Sequence, residues 1–226
     1  MNDVFRATLA AALLALAGAA AAQPACSSDG RPPPAGVLER FINADCEGCW
    51  TDLKAAEPCG GEVALDWIVP GSRGDDAPLS AAASGDALAR LQALGRDVPA
   101  HGADVHGKRS GRPLALRVAH GPPFAGYVGA SIELLDSPPG PFRAWLLLVE
   151  ALPPGSERTP VARNVVRNVL QLSWDGDRAR PRAEVRPMNI PDGARPQRLR
   201  VVGLVEDARG RIRAIAESRC TPGRAG

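Results

Sequence analysis

Residues 36–50 read GVLERFINADCEGCW, and this stretch decides which fold the sequence predicts. The apolar residues of GVLERFIN predict a buried β-strand that leads directly into the motif Cys46-x-x-Cys49. Asp45 is a suitable N-cap for a helix over CEGCWTDLKAAE, and Pro58 would end that helix. The stretch therefore predicts a strand that feeds two cysteines into the first turn of a helix.

The elements that follow continue an alternation of strands and helices. EVALDWIVP predicts a strand with apolar residues at alternate positions, and RPLALRVAHG predicts another. Between them, SGDALARLQALG predicts an amphipathic helix that Asp86 caps, that Gly95 ends and whose apolar stripe is Leu88, Leu91 and Leu94. This order is that of an α/β domain, and a strand leading into C-x-x-C at a helix start is the arrangement of thioredoxin.

The second half of the chain changes character. The segments AWLLLVEAL, NVVRNVLQLSW, RAEVRPMNI and RLRVVGLVEDARGRIRAIAESRC predict short strands, the last of them a hairpin. We therefore expect a thioredoxin-like α/β domain followed by a β-rich domain, built as an antiparallel sheet or sandwich. The predicted organisation is a signal peptide at 1–22, an irregular lead at 23–35, the thioredoxin-like domain at 36–134 and the β-rich domain at 135–226.

The amino-terminal segment predicts export from the cell. Arg6 and the amino terminus are positively charged, an apolar run follows, and Ala20-Ala21-Ala22 supplies a cleavage site. No later apolar stretch is long enough to span a membrane, so we expect a soluble periplasmic or secreted protein with no membrane span after signal cleavage. The net charge of +2 and the aromatic content of 4% argue against nucleic acid as a partner.

The cysteine pair is compatible with two kinds of disulfide chemistry. In thiol–disulfide exchange, Cys46 would attack a substrate disulfide, because free N–H groups at a helix start stabilise its thiolate, and Cys49 would resolve the mixed disulfide. The neighbouring carboxylates of Asp45 and Glu47 would oppose that stabilisation. The same pair could instead be a structural disulfide that never turns over.

A zinc site would combine the cysteine pair with Cys59 and a histidine. The sequence disfavours this hypothesis, because it has no second C-x-x-C and because His101, His106 and His120 lack the spacing of zinc ligands. We therefore expect no metal and no cofactor.

The chain has five cysteines, so one thiol is left over. Cys26 and Cys220 lie near the two ends of the mature chain, and chain termini often meet in space, so we expect them to form a structural disulfide. Cys59 would then be free. The alternative is a Cys26–Cys59 bond that leaves Cys220 free.

Three segments carry a resemblance to a known family. Residues 39–45, ERFINAD, directly precede the C-x-x-C, while Asn164-Val165-Val166-Arg167 and Trp174-Asp175-Gly176 lie further along the chain. In these motifs the chain resembles a family of secreted bacterial proteins of unknown function, whose members have a thioredoxin-like core and a β-rich C-terminal part. It departs from the family after the second cysteine, where Trp50-Thr51 replaces Pro-Pro.

The resemblance also implies a role for Pro113. The family has a Thr-Pro pair before its third strand that resembles the cis-proline facing the cysteines of thioredoxin folds, and Pro113 is the nearest counterpart. A cis Pro113 would line the site beside Cys46, whereas a trans proline would simply begin a strand. Glu39 is a candidate proton acceptor for Cys49 if its strand buries it, and a solvent-facing residue otherwise.

Together these features predict a thiol–disulfide oxidoreductase whose substrate is a protein thiol or disulfide. Cys46 and Cys49 would react, and Glu39 and Pro113 would support them. The alternative is a non-catalytic secreted scaffold, in which the Cys46–Cys49 bond is structural and the β-rich half binds a partner.

Overall fold

The fold is described from a computed structural model that covers residues 26–136, 138–177 and 181–220. The predicted signal peptide at 1–22 lies outside the described residues, as does the beginning of the irregular lead at 23–25.

Within these residues the chain consists mainly of β-strands, and α-helix is confined to α1 (Glu47–Trp50) and α2 (Gly85–Ala93). Short 3₁₀ turns occur at Gly74–Asp76, Ser80–Ala82 and Pro196–Arg198. The strands are β1 (Cys26–Ser27), β2 (Gly36–Asn43), β3 (Glu62–Val69), β4 (Gly102–Lys108), β5 (Leu116–His120), β6 (Tyr127–Leu134), β7 (Phe142–Leu152), β8 (Arg163–Trp174), β9 (Ala183–Asn189), β10 (Leu199–Asp207), β11 (Ile212–Glu217) and β12 (Arg219–Cys220).

The strands form two large sheets. One has the order β12-β1-β5-β6-β9, and the other has the order β11-β10-β7-β8-β3-β2-β4. Pairing is parallel between β2 and β3 and between β3 and β8, whereas every other pairing of the named strands is antiparallel. Strands from both sides of residue 135 share each sheet, since β3 lies beside β8 and β6 lies beside β9.

The prediction of a thioredoxin-like α/β domain is wrong. An α/β domain needs helices that cover the faces of its parallel strands, and the two helices here are too few and too short for that. Instead, one face of the seven-stranded sheet packs against the second sheet, and α2 packs against the other face through Ala87 and Leu91. The fold is therefore a mostly β architecture.

Alternation along β7 shows how the layers are arranged. Ala144, Leu146 and Leu148 belong to a core between the two sheets, whereas the intervening Trp145 and Leu147 belong to a core on the opposite face. Successive side chains of a strand point to opposite faces, so the seven-stranded sheet is the middle layer. A smaller apolar cluster lies under α1 and consists of Ile42, Ala44, Trp50, Ile68, Ala77, Leu152 and Val165.

The predicted helix over CEGCWTDLKAAE is also wrong, because α1 ends after a single turn at Trp50. In a longer helix the carbonyl groups of Cys49 and Trp50 would accept hydrogen bonds from residues four positions later. Here Arg163 donates from Nη2 to both carbonyl oxygens, at 3.1 and 2.9 Å. Leu53, which the predicted helix would have included, lies beyond the end of α1 and is 75% exposed.

The second predicted helix is present as α2, but its buried side differs from the prediction. Leu91 is buried as expected, whereas Leu88 is 38% exposed and Arg90, next to Leu91, is fully buried. Ser84, rather than Asp86, occupies the N-cap position. The strands predicted in the second half are confirmed as β7, β8, β9 and the hairpin of β10 and β11.

Candidate functional site

The candidate site is the Cys46–Cys49 disulfide at the carboxyl end of β2. The strand ends at Asn43, whose carbonyl oxygen accepts a hydrogen bond from the backbone N–H of Cys46 at 2.9 Å. Cys46 is the N-cap residue of α1, and both cysteines are half-buried at the protein surface. Part of each cysteine residue is therefore open to solvent.

The sulfur of Cys46 accepts a hydrogen bond from the protein backbone. The N–H of Cys49 donates to Cys46 Sγ at 3.2 Å. A donor aimed at this sulfur favours the thiolate over the thiol once the bond is reduced. The helix dipole adds little, because α1 contains a single turn. The same Cys49 N–H also donates to the carbonyl oxygen of Cys46 at 3.1 Å, so the sulfur shares this donor with the backbone.

The two carboxylates beside Cys46 are engaged by other groups. Desolvation acts to raise the pKa of Asp45, but hydrogen bonds from Ser72 and from the backbone N–H of Arg73 prevail and lower it. Glu47 forms an ion pair with Arg158 at 2.9 Å. The sequence predicts that these two carboxylates oppose a Cys46 thiolate. The contacts above partly neutralise their negative charges.

A buried cluster of charges lies under the cysteine loop. Asp66 is fully buried and forms ion pairs with Arg40 at 2.8 Å and with Arg163 at 3.3 Å. Arg163 also holds the carbonyl groups of Cys49 and Trp50, so one side chain ties the charge cluster to α1. Burial lowers the pKa of Arg163, the carboxylate of Asp66 opposes this change and the charge of Arg40 adds to it.

Sequence reasoning did not identify Arg40 or Arg163 as part of the site. Asp66 lies within the predicted strand EVALDWIVP, and the structure shows it fully buried. One sequence signal could have identified Arg163, because it directly precedes the Asn-Val-Val-Arg motif. In the structure, the backbone N–H of Asn164, the first residue of that motif, donates to the same Asp66 carboxylate. The start of the motif therefore contacts the charge cluster.

A cleft opens beside Cys49. Its volume is about 310 Å³, and its lining includes the side chains of Cys49, Arg40, Arg163, Asp52 and Asp104. The first residue of β4 forms the nearest wall, since a Cβ atom at Gly102 would lie 3.9 Å from Cys49 Sγ. The Cys49 end of the disulfide therefore lines a cleft that contains both signs of charge.

The other predicted site residues lie elsewhere. Glu39 is buried, and among the described residues its carboxylate accepts hydrogen bonds from Arg90 and from the indole of Trp67. Pro113 lies in the exposed loop before β5, next to Leu114, whose N–H donates to the carbonyl of Arg213. No peptide bond among the described residues is cis. The structure therefore brings Cys46 and Cys49 together, without Glu39 or Pro113 beside them.

The predicted disulfide between Cys26 and Cys220 is present. It joins β1 to β12, which are neighbours in the five-stranded sheet, with Cys26 and Cys220 directly opposite each other. Cys59 is a free and exposed thiol. Disulfide bonds persist in oxidising compartments, so both bonds fit an extracytoplasmic environment.

Comparison of the chain with protein-family models, with curated proteins and with solved structures gives no match. Among the described residues, none of the helices has the length and apolar character that crossing a membrane requires. The functional argument therefore depends on the geometry of the site itself.

Proposed function

We propose that this protein carries out thiol–disulfide exchange through Cys46 and Cys49. The observation that carries the proposal is the hydrogen bond from the Cys49 N–H to Cys46 Sγ, in a half-buried disulfide beside a polar cleft. It gives one sulfur of an accessible pair a stabilised thiolate, which is the property that exchange requires.

The exchange proceeds through a mixed disulfide. A substrate thiolate attacks Cys46 Sγ, the Cys46–Cys49 bond breaks and Cys49 leaves as a thiolate. A second substrate thiolate then attacks the substrate sulfur of the mixed disulfide, which releases an oxidised substrate and a reduced Cys46. Two electrons and two protons pass from the substrate dithiol to the protein, and the reverse sequence reduces a substrate disulfide.

The substrate of this proposal is a protein dithiol or disulfide in the periplasm or outside the cell. The paired cysteines need no cofactor. Arg40, Arg163, Asp52 and Asp104 line the cleft and give it charges of both signs, which suits a polar peptide segment. The motif resemblance to secreted bacterial proteins supports the same compartment.

A non-catalytic binding module is the second candidate. The observation that favours it lies at the turn between β5 and β6, where Phe124 is 83% exposed and Tyr127 is 50% exposed. Exposed aromatic side chains are common at interaction surfaces. In that case Cys46–Cys49 would be a structural bond, held in place by Arg163.

A trapping experiment tests the exchange proposal. We expect Cys49→Ser, made in a Cys59→Ser background, to react with glutathione disulfide and accumulate a mixed disulfide at Cys46. The matched Cys46→Ser variant should form its adduct at Cys49 more slowly by about tenfold or more, because only Cys46 Sγ receives the backbone hydrogen bond. Mass spectrometry of acid-quenched samples measures both rates.

Both variants should react equally fast in denaturant, which controls for intrinsic differences between the two thiols. Equal rates in the folded proteins would contradict the assigned roles. Failure of the folded Cys49→Ser variant to form an adduct at Cys46 would favour the binding module.

A further inference from the structure

Cys59, Glu62 and His106 form a second group of reactive side chains, distinct from the Cys46–Cys49 pair. The ligand atoms of these three residues all lie within 4.8 Å of one another. His106 Nδ1 lies 3.1 Å from Glu62 Oε2, and the backbone N–H of Cys59 donates to the same carboxylate oxygen at 2.9 Å. Cys59 is a free thiol, so its sulfur is available as a ligand.

The three residues come from separate parts of the fold. Cys59 lies in the connection after α1, Glu62 begins β3 and His106 lies on β4. In the sheet, β2 lies between β3 and β4, so Glu62 must reach across a whole strand to contact His106. Two strand spacings amount to about 10 Å, which an ordinary intervening side chain would obstruct.

Gly36 of β2 opens the path between Glu62 and His106. It is the pairing partner of Glu62 in β3, and a Cβ atom at this position would lie 3.2 Å from Glu62 Cγ and 3.4 Å from Glu62 Oε1. Without a side chain at Gly36, the Glu62 carboxylate lies over β2 and is nearly buried, with 4% of its side chain exposed. The fold thus directs a carboxylate toward an exposed histidine and an exposed cysteine.

We propose that Cys59, Glu62 and His106 bind one Zn²⁺ ion. A thiolate, an imidazole nitrogen and a carboxylate oxygen are the ligand types that Zn²⁺ prefers, and three protein ligands leave the fourth tetrahedral position for water. In such a site neighbouring ligand atoms are about 3.3–3.8 Å apart. The Glu62–His106 distance is already close to this range, and the exposed Cys59 loop needs a shift of at most about 1.5 Å, since its sulfur lies within 4.8 Å of the other two ligand atoms.

The charges of the site also suit a divalent cation. A Cys59 thiolate and the Glu62 carboxylate together balance the two positive charges of Zn²⁺. Among the described residues, the other group of this kind is Cys26, His120 and Cys220, which lacks free thiols because its two cysteines form a disulfide. Zinc would join the connection after α1 to the edge strand β4.

Titration with Co²⁺, a spectroscopic probe for zinc sites, tests this proposal. The protein with both disulfides intact is titrated under anaerobic conditions, and we expect one equivalent to produce a thiolate-to-Co²⁺ charge-transfer absorption that Zn²⁺ then displaces. Cys59→Ser should abolish the absorption. His106→Gln and Glu62→Gln should weaken binding by about tenfold or more, because each removes a ligand.

His101→Gln is the matched control, since His101 is also exposed but lies outside the group. It should bind Co²⁺ as the unmodified protein does. Absence of the charge-transfer absorption, or an undiminished absorption in Cys59→Ser, would overturn the proposal.

Protection of Cys59 from alkylation gives a second measurement. Saturating Zn²⁺ should slow the reaction of iodoacetamide with Cys59 by about tenfold or more, because the metal-bound thiolate is shielded. The protection should disappear in His106→Gln and persist in His101→Gln. Equal alkylation rates with and without Zn²⁺ in the unmodified protein would overturn the proposal.

Discussion

Replacing both Cys26 and Cys220 with serine is expected to lower the free energy of unfolding by about 5 kcal/mol. The bond closes a loop with a sequence separation of 194, so its removal releases a large amount of conformational entropy in the unfolded chain. It also joins β1 and β12, which contain two residues each and have little other means of staying paired.

The double replacement of Cys46 and Cys49 is the matched comparison. Its bond spans a sequence separation of 3, and the same loop-entropy argument gives a loss of only about 2 kcal/mol. The two losses are expected to differ because the Cys26–Cys220 bond closes a very long loop, whereas the Cys46–Cys49 bond closes a single turn. A bond that contributes little to stability can be opened during exchange without unfolding the protein.

Urea unfolding of both double variants, in a common Cys59→Ser background, measures the two losses. The background prevents the free thiol from exchanging with either disulfide. A loss from the Cys26 and Cys220 replacement that is no larger than the loss from the other pair would contradict the division into structural and exchanging bonds.

Arg90→Met is expected to lower the free energy of unfolding by about 3–5 kcal/mol. Arg90 is fully buried and forms ion pairs with Glu39 and Glu206, each at 2.7 Å. Burial by itself would lower the pKa of Arg90, but the two carboxylates outweigh it and raise that pKa. Methionine fills a similar volume, so the loss comes from two buried carboxylates without their cation.

Two further variants separate charge from packing. Arg96→Met removes an exposed arginine just after α2 and should change the free energy of unfolding by less than about 0.5 kcal/mol. Adding Glu39→Gln and Glu206→Gln to Arg90→Met should recover more than half of the loss, since Trp67 and Trp145 can still donate to the new amide oxygens. A triple variant less stable than Arg90→Met would contradict the electrostatic explanation.

Most of the strands could be predicted from the sequence because their signal is local, whereas β4 and β6 were not predicted. Apolar residues in β2, β3, β7 and β10 follow patterns that a short segment reveals by itself. The order of these strands in the sheets could not be predicted, because it depends on which distant segments pair. The mostly β architecture follows from that pairing.

The helices show why local signals fail elsewhere. α1 is short because Arg163, more than a hundred residues away in sequence, occupies the carbonyl groups of Cys49 and Trp50. In α2, the side chain of Arg90 is buried because it forms ion pairs with Glu39 and Glu206, which lie on two strands distant in sequence. Each outcome depends on a partner that the local sequence does not contain.

Only the local part of the candidate site could be predicted from the sequence. The C-x-x-C motif is local and was recognised, whereas the cluster of Arg40, Asp66 and Arg163 is assembled from three strands. Spacing along the chain also gave no sign that His106 lies near Cys59, because that proximity arises from the position of β4 beside β2.

The reduction potential of the Cys46–Cys49 bond decides most directly whether the pair exchanges thiols. The Cys59→Ser protein would be equilibrated in glutathione buffers, trapped by alkylation and analysed by mass spectrometry. We expect a potential above about −250 mV, which makes the bond labile to exchange in an oxidising compartment. A potential below about −300 mV would mark a structural disulfide and contradict the proposed function.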